Sequence, residues 1–268
     1  MLRNKILPQV LIMAALLSID GVLPGYPQDK TGPQEIAQGE KTGAGFSPYV
    51  LPPDDHRATA RLNDICQGLE NSYDCAQAVE RAQLPKYPRQ VARQKGELRL
   101  TLKTGKTVVL KDSGDEVGKG VATVIFYSFR DYLKDIGYFL VHTAFWEGDG
   151  YLMINDHTGY QYRIHDLPIL SPDRKRLATI SFSVAYNPSD IQIWQLTPVA
   201  MTLEWTLDPE DWRPSGGVWL DSSTLILVKQ FPIPDFYKGL TFRKEPAVLK
   251  KGPSGWKLEQ PAATEPLK

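Results

Sequence analysis

Ile169-Leu-Ser-Pro-Asp-Arg-Lys-Arg-Leu-Ala-Thr-Ile180, followed by Asp190-Ile-Gln-Ile-Trp-Gln-Leu196, carries the pattern of a tight turn and two strands. Pro172 fixes φ for a turn, and Asp173 can close that turn through its own backbone. The chain leaves it as a short apolar strand, Leu177-Ala-Thr-Ile180. After a loop, Ile191 and Ile193 alternate with Gln192 and Trp194, a period of two that marks a second strand.

Working outward, the same theme recurs. Gly217-Val-Trp-Leu-Asp-Ser-Ser-Thr-Leu-Ile-Leu-Val228 is again a turn feeding an apolar strand. Aligning Leu177 with Leu225 sets the two units about 48 residues apart, in the range of repeat architectures. The Ile169 to Leu196 stretch resembles one blade of a WD-repeat or Tol-type β-propeller, which carries S-P-D-G-K-x-L-A at one hairpin and I-x-I-W at the next strand. Two departures stand out: Arg174 occupies the glycine position, and Gln195 replaces the aspartate of the WD pair. The resemblance covers about a tenth of the chain and implies architecture; function does not follow from fold.

The rest of the body also reads as strands. Glu97-Leu-Arg-Leu-Thr-Leu-Lys103 alternates cleanly, Thr104-Gly-Lys106 turns it, and Thr107 to Leu110 returns. Further strands are expected over Ala122 to Phe129, Gly137 to Trp146, Gly150 to Asn155, Tyr160 to Ile164 and Met201 to Leu207. Short ones follow over Leu240 to Arg243, Ala247 to Lys250 and Trp256 to Leu258. The expected fold is mainly β, propeller-like or built of stacked antiparallel sheets, with about four blade-sized units over residues 91–260.

Before this body comes a helical region, residues 56–90. Leu62, Ile65, Cys66 and Leu69 share a helical face, and Gly68 weakens the middle. Asn71 caps a second helix, with Asp74 three residues on, and Ala76, Val79 and Ala82 form its stripe up to Leu84-Pro85. Cys66 and Cys75 are the only cysteines. In one continuous helix they would lie about 13 Å apart. A disulfide needs Cα atoms within about 7 Å, so a bridge requires the helix to break between them. The break signals fall there, and a disulfide-linked helical hairpin is expected. Tyr73-Asp-Cys-Ala-Gln-Ala78, with Glu80 shortly after, resembles the opening of small disulfide-bonded domains of periplasmic lysozyme-inhibitor-like proteins.

Export is expected as well. Arg3 and Lys5 precede an apolar run from Val10 to Ile19, the pattern of a signal peptide ending near residue 25. That run is short of the roughly 20 residues that span a bilayer, so the mature chain is expected to lack a membrane span. Residues 26–55, rich in Pro, Gly, Gln and charge, read as a flexible linker, and 261–268 as a tail. The expected address is periplasmic or extracellular, where the bridge would persist.

The 268 residues carry 31 Lys and Arg against 31 Asp and Glu, with no basic stripe, which argues against a nucleic-acid partner. Gly114-Asp-Glu-Val-Gly118-Lys119 has the wrong spacing for a phosphate loop and sits between strands. The acids of Asp112 to Glu116 lack calcium-loop spacing, and they, like those of Asp208 to Asp211, read as solvated turn residues. His56, His142, His157 and His165 form no metal signature, and no nucleophile elbow exists. No catalytic residue, metal or cofactor is assigned.

Aromatic residues on expected loops are the binding candidates. Phe145, Trp146 and Tyr151 flank Glu147-Gly-Asp-Gly150, and Phe231, Phe236 and Tyr237 lie on a proline-stiffened loop. The first reading is an exported, non-catalytic binding or assembly module whose partner is another envelope protein. The second is a periplasmic inhibitor or stress protein acting through the disulfide-bonded helices. A hydrolase ranks third.

Overall fold

The computed structural model describes residues 64–69, 71–113, 124–145, 148–183, 188–235 and 239–260. All of them belong to the compact unit Gly45–Lys268; the other unit, Met1–Ala44, lies outside the described residues. The signal-peptide, linker and tail assignments fall outside them too.

Residues 64–66 are helical, and Gly68 then takes φ +82°, a conformation glycine adopts without steric penalty. Helix α1, Ser72–Gln83, starts on Asn71, whose side chain accepts the Asp74 N–H at 2.8 Å. Breaking the helix between the cysteines brings their Cα atoms to 4.8 Å, and Cys66–Cys75 is a disulfide, as the spacing required.

Among the described residues, fifteen strands form four consecutive antiparallel sheets. The first holds β1 (Val91–Gln94), β2 (Glu97–Thr101) and β3 (Thr107–Lys111). The second holds β4 (Ile125–Leu133), β5 (Tyr138–Phe145), β6 (Gly148–Asn155) and β7 (Gln161–Ile164). The third holds β8 (Ile169–Leu170), β9 (Arg176–Ile180), β10 (Ile191–Leu196) and β11 (Met201–Leu207). The fourth holds β12 (Arg213–Asp221), β13 (Thr224–Asp235), β14 (Gly239–Gly252) and β15 (Gly255–Glu259). Each sheet runs up and down in chain order, and none closes on itself.

The period-two pattern explains how the sheets meet. On β5, Phe139 and Val141 pack with Leu98, Leu100 and Leu110 of the first sheet. Their neighbours Tyr138 and Leu140 point the other way, onto Leu177 and Leu196 of the third. On the third sheet, Ala178, Ile180, Ile191 and Ile193 face Leu225, Leu227, Ala247 and Leu249 of the fourth. The sheets therefore stack in chain order, and the middle two are buried on both faces. The Trp219 indole N–H, donating to the Ile169 carbonyl at 2.9 Å, adds a polar tie between β12 and β8.

The two turn-plus-strand units hold equivalent places. Ser171 opens the turn between β8 and β9, and Asp221 the turn between β12 and β13, each joining the first strand of its sheet to the second. Leu177 and Leu225 are both the second residue of the second strand, both fully buried, and each packs toward the preceding sheet.

One sequence expectation is corrected. Phe231 to Asp235 is not a loop but the end of β13, paired with β14 from Phe231↔Arg243 to Asp235↔Gly239. Pro232 and Pro234 are tolerated because a two-residue spacing puts both missing N–H groups on one edge. That edge is unpaired: β12 reaches only Gln230, and β15 pairs β14 from Val248 onward. Beyond Gln230 the hairpin is thus a two-stranded arm, and its Phe242 ring sits edge-on to Phe182, just past β9, at 5.5 Å.

Candidate functional site

Residues from five turns of three sheets line one cleft of about 540 Å³. Lys103 comes from the β2–β3 turn, Lys134 to Gly137 from β4–β5, and Asp156 and His157 from β6–β7. Arg174 and Lys175 come from β8–β9, and Leu196 to Val199 from the end of β10 and the turn after it. The rim is stitched by backbone hydrogen bonds. Lys103 N–H donates to the Asp156 carbonyl at 2.7 Å, Asp156 N–H to Gly137 at 2.9 Å, and Leu196 N–H to Lys175 at 2.8 Å. The buried Asn155 side chain adds a donor bond to the Pro198 carbonyl at 3.1 Å. These bonds fix the walls before any ligand arrives.

Asp156 lies at the floor, 2% exposed. Its carboxylate accepts the Tyr132 hydroxyl at 2.6 Å and pairs with Lys103 Nζ at 3.0 Å. Burial first, and the hydrogen bond to Asp156 second, push the Tyr132 phenol well above its ordinary pKa. Gly137 takes φ +75°, and a Cβ there would stand 3.1 Å from Asp156 Oδ1, so both backbone and space call for glycine.

Four cations surround this floor: Lys103, Lys134, Arg174 and Lys175. Lys134 Nζ sits 5.2 Å above the Tyr87 ring, and the Lys175 charge attracts the Asp173 carboxylate. Arg174 stands in the left-handed region at φ +59°, where a non-glycine residue loses about 1–2 kcal/mol. The turn that holds it is over-determined. Ser171 Oγ donates to Asp173 Oδ1 at 2.7 Å and accepts Arg176 N–H at 3.0 Å, and Arg174 N–H donates to the Ser171 carbonyl at 2.9 Å. The Ser171 hydrogen bond holds the Asp173 carboxyl below its ordinary pKa. Ile136, Leu196, Pro198 and Val199 give the cleft an apolar side. Chemically, the cleft can hold an anion beside an apolar group.

Further along the same strands lie two histidine–carboxylate pairs. His142 Nε2 is 3.0 Å from Asp149 Oδ2, with the Tyr151 ring edge-on to the imidazole at 5.2 Å. His165 Nδ1 is 2.8 Å from Asp190 Oδ2. Gln192 donates to the same Asp190 oxygen at 3.1 Å and accepts from Thr179 Oγ1 at 3.3 Å and Trp194 Nε1 at 3.2 Å. This chain ties the loop before β8 to β9 and β10. Trp194 is only partly buried.

The aromatic candidates are dispersed. Phe145 lies under the Arg163 guanidinium at 5.5 Å, on the second sheet. Phe231 lies under Arg243 at 4.3 Å, on the arm of the fourth. Tyr151 is half-buried between His142 and Arg130, and burial raises its phenol pKa. Trp146, Phe236 and Tyr237 lie outside the described residues. The acids also differ from expectation. Asp112 is not merely a solvated turn residue: it pairs with Arg93 at 3.1 Å and accepts the Tyr127 N–H at 2.9 Å.

Sequence reading missed the cleft. Its one local signal was Arg174 in a position the blade resemblance reserves for glycine; the other cations look like ordinary turn residues. No group of metal-ligating side chains occurs among the described residues, and none of their helices is long and apolar enough to cross a membrane. No protein-family model matches the chain, and no curated protein or solved structure is significantly similar to it.

Proposed function

We propose that the protein is an exported, non-catalytic binding module with a propeller-like β body, and that the cleft lined by turns of the first three sheets is its ligand surface. The observation that carries this reading is the cleft itself: five turns converge on it, bonded to one another, with the buried acid already committed to Tyr132 and Lys103. A preorganised concave site of this size suits a small ligand. Serial stacking of four meanders, with equivalent turns in successive sheets, supports the propeller-like body. The basic, then apolar N-terminus and the disulfide support export.

The competing inhibitor reading assigns the activity to the helices. Against it, α1 is fastened to the body by its Glu80 and Gln77 side chains, which serves structure. The test is a cleft-filling substitution that changes no charge. Val199→Trp, at a position 52% exposed, should leave the melting curve unchanged. The full chain is incubated with a low-molecular-mass extract of its native host, washed, and analysed by native mass spectrometry. Ligand retained by the wild type and lost in Val199→Trp is the expected result. Equal retention by both proteins moves the binding surface elsewhere, with the β13–β14 arm next.

A further inference from the structure

Resting on the reading of the cleft as a ligand surface, we propose that its ligand is a small organic molecule carrying at least two oxyanion charges. Phosphate esters and polycarboxylates share this chemistry.

The charge balance points this way. Lys103, Lys134, Arg174 and Lys175 line the cleft against only Asp135 and Asp156. Asp156 is neutralised locally by Lys103 and hydrogen-bonded by Tyr132. Lys103 remains 58% exposed, so one side of its ammonium still faces solvent. A lining with more cations than carboxylates favours an oxyanion, which the hydrogen-bonded walls can receive without rearranging.

Arg174 gives the cluster its geometry. A glycine would occupy φ +59° without strain, yet the chain places there the one side chain with a planar, five-donor fork. Strain held by an over-determined turn points to use at that position. Its neighbour Lys175 is held by two backbone bonds, its N–H to Asp173 Oδ1 at 3.1 Å and its carbonyl accepting Leu196 N–H at 2.8 Å. The two cations are therefore fixed to the β10 end that supplies the apolar side. Leu196, Pro198 and Val199 would cover an apolar portion of the ligand while the head group meets Arg174 and Lys175.

Titration calorimetry of the full chain with phenyl phosphate, with citrate and with neutral benzyl alcohol, at low ionic strength, tests this. Amide chemical shifts locate the binding. Binding of either oxyanion at the cleft, weakened by added salt, is expected. Phenyl phosphate alone assigns a phosphate ester, citrate alone a polycarboxylate, and binding of both shows that charge is what is read. Arg174→Gly with Lys175→Gln should lower the affinity about tenfold or more. Lys106→Gln, on the β2–β3 turn but outside the cleft, should not. The glycine relieves backbone strain, so this variant is expected to fold, and its melting curve confirms that. Benzyl alcohol binding at the cleft while both oxyanions fail overturns the anion proposal and leaves the binding-module reading standing. Oxyanion binding that the folded double variant retains, or that maps outside the cleft, overturns it as well, as does no binding of any probe.

Discussion

Arg93 of β1 grips Glu80 of α1 with two parallel contacts, Nε to Oε1 and Nη2 to Oε2, both 2.8 Å. The Glu80 carboxylate, 3% exposed, also accepts the Phe129 N–H of β4 at 2.6 Å. Asp112, on the other side of Arg93, accepts the Tyr127 N–H, and Arg93 itself donates to the Tyr127 carbonyl. Two carboxylates bridged by one guanidinium thus satisfy alternate backbone N–H groups, those of Tyr127 and Phe129, along the outer edge of β4, next to its bridge with Ser113. Burial works most strongly against the Arg93 charge, but the bonds and charges of Glu80 and Asp112 together outweigh it and raise its pKa.

Removing Glu80 leaves a half-buried guanidinium and an unpaired strand N–H. Glu80→Ala should destabilise the protein by about 3–5 kcal/mol. Urea unfolding measures this, and a loss below about 1 kcal/mol would show that the network adds little.

Arg174→Gly should act in the opposite direction. Relief of the left-handed strain, less the added freedom of glycine in the unfolded chain, leaves about 0.5–1 kcal/mol of stabilisation. A lower midpoint in the same unfolding assay would mean that the Arg174 side chain contributes more to the fold than its backbone conformation removes.

The Cys66–Cys75 bridge closes a short loop, so in the chain-entropy model its reduction costs roughly 2–3 kcal/mol. Alkylation without reductant, followed by intact mass, should find no modified thiol in protein from the native host. Two alkylated cysteines would contradict the bridge.

Stability should fall at both ends of the pH range. Burial lifts the Tyr87 and Tyr138 phenols from 10.0 to about 12, with the Asp131 hydrogen bond adding to the effect at Tyr87. Their contribution is complete below pH 10 and is lost as pH rises from 10 through about 12. At the acid end, burial alone would raise the Glu204 carboxyl, but bonds from Arg176 and Lys251 hold it below its ordinary value. That contribution is present above the ordinary carboxylate pKa and is lost as pH falls through the depressed one. Unfolding free energy against pH checks both arms, and a flat profile above pH 10 would contradict the tyrosine assignments.

What the sequence made legible was local. The Ser171-Pro-Asp173 turn, the alternation of Ile191 and Ile193, the Asn71 cap and the helix break at Gly68 each depend on neighbours within a few residues. The Phe231 to Asp235 segment misled because its prolines signal a loop, whereas register with β14 makes it an edge strand. Glu80 and Asp112 gave no sign of capping β4, since their partners are 49 and 15 residues away. The cleft was hidden for the same reason: Lys103, Lys134 and Arg174 meet only once three sheets have stacked.

Hydrogen exchange of the full chain, with and without the ligand retained from the native-host extract, tests the central claim most directly. Exchange should slow at residues 134–137, 156–158, 174–175 and 196–199, with the β13–β14 arm unchanged. Slowing confined to that arm, or absent from all four turns, would contradict the claim.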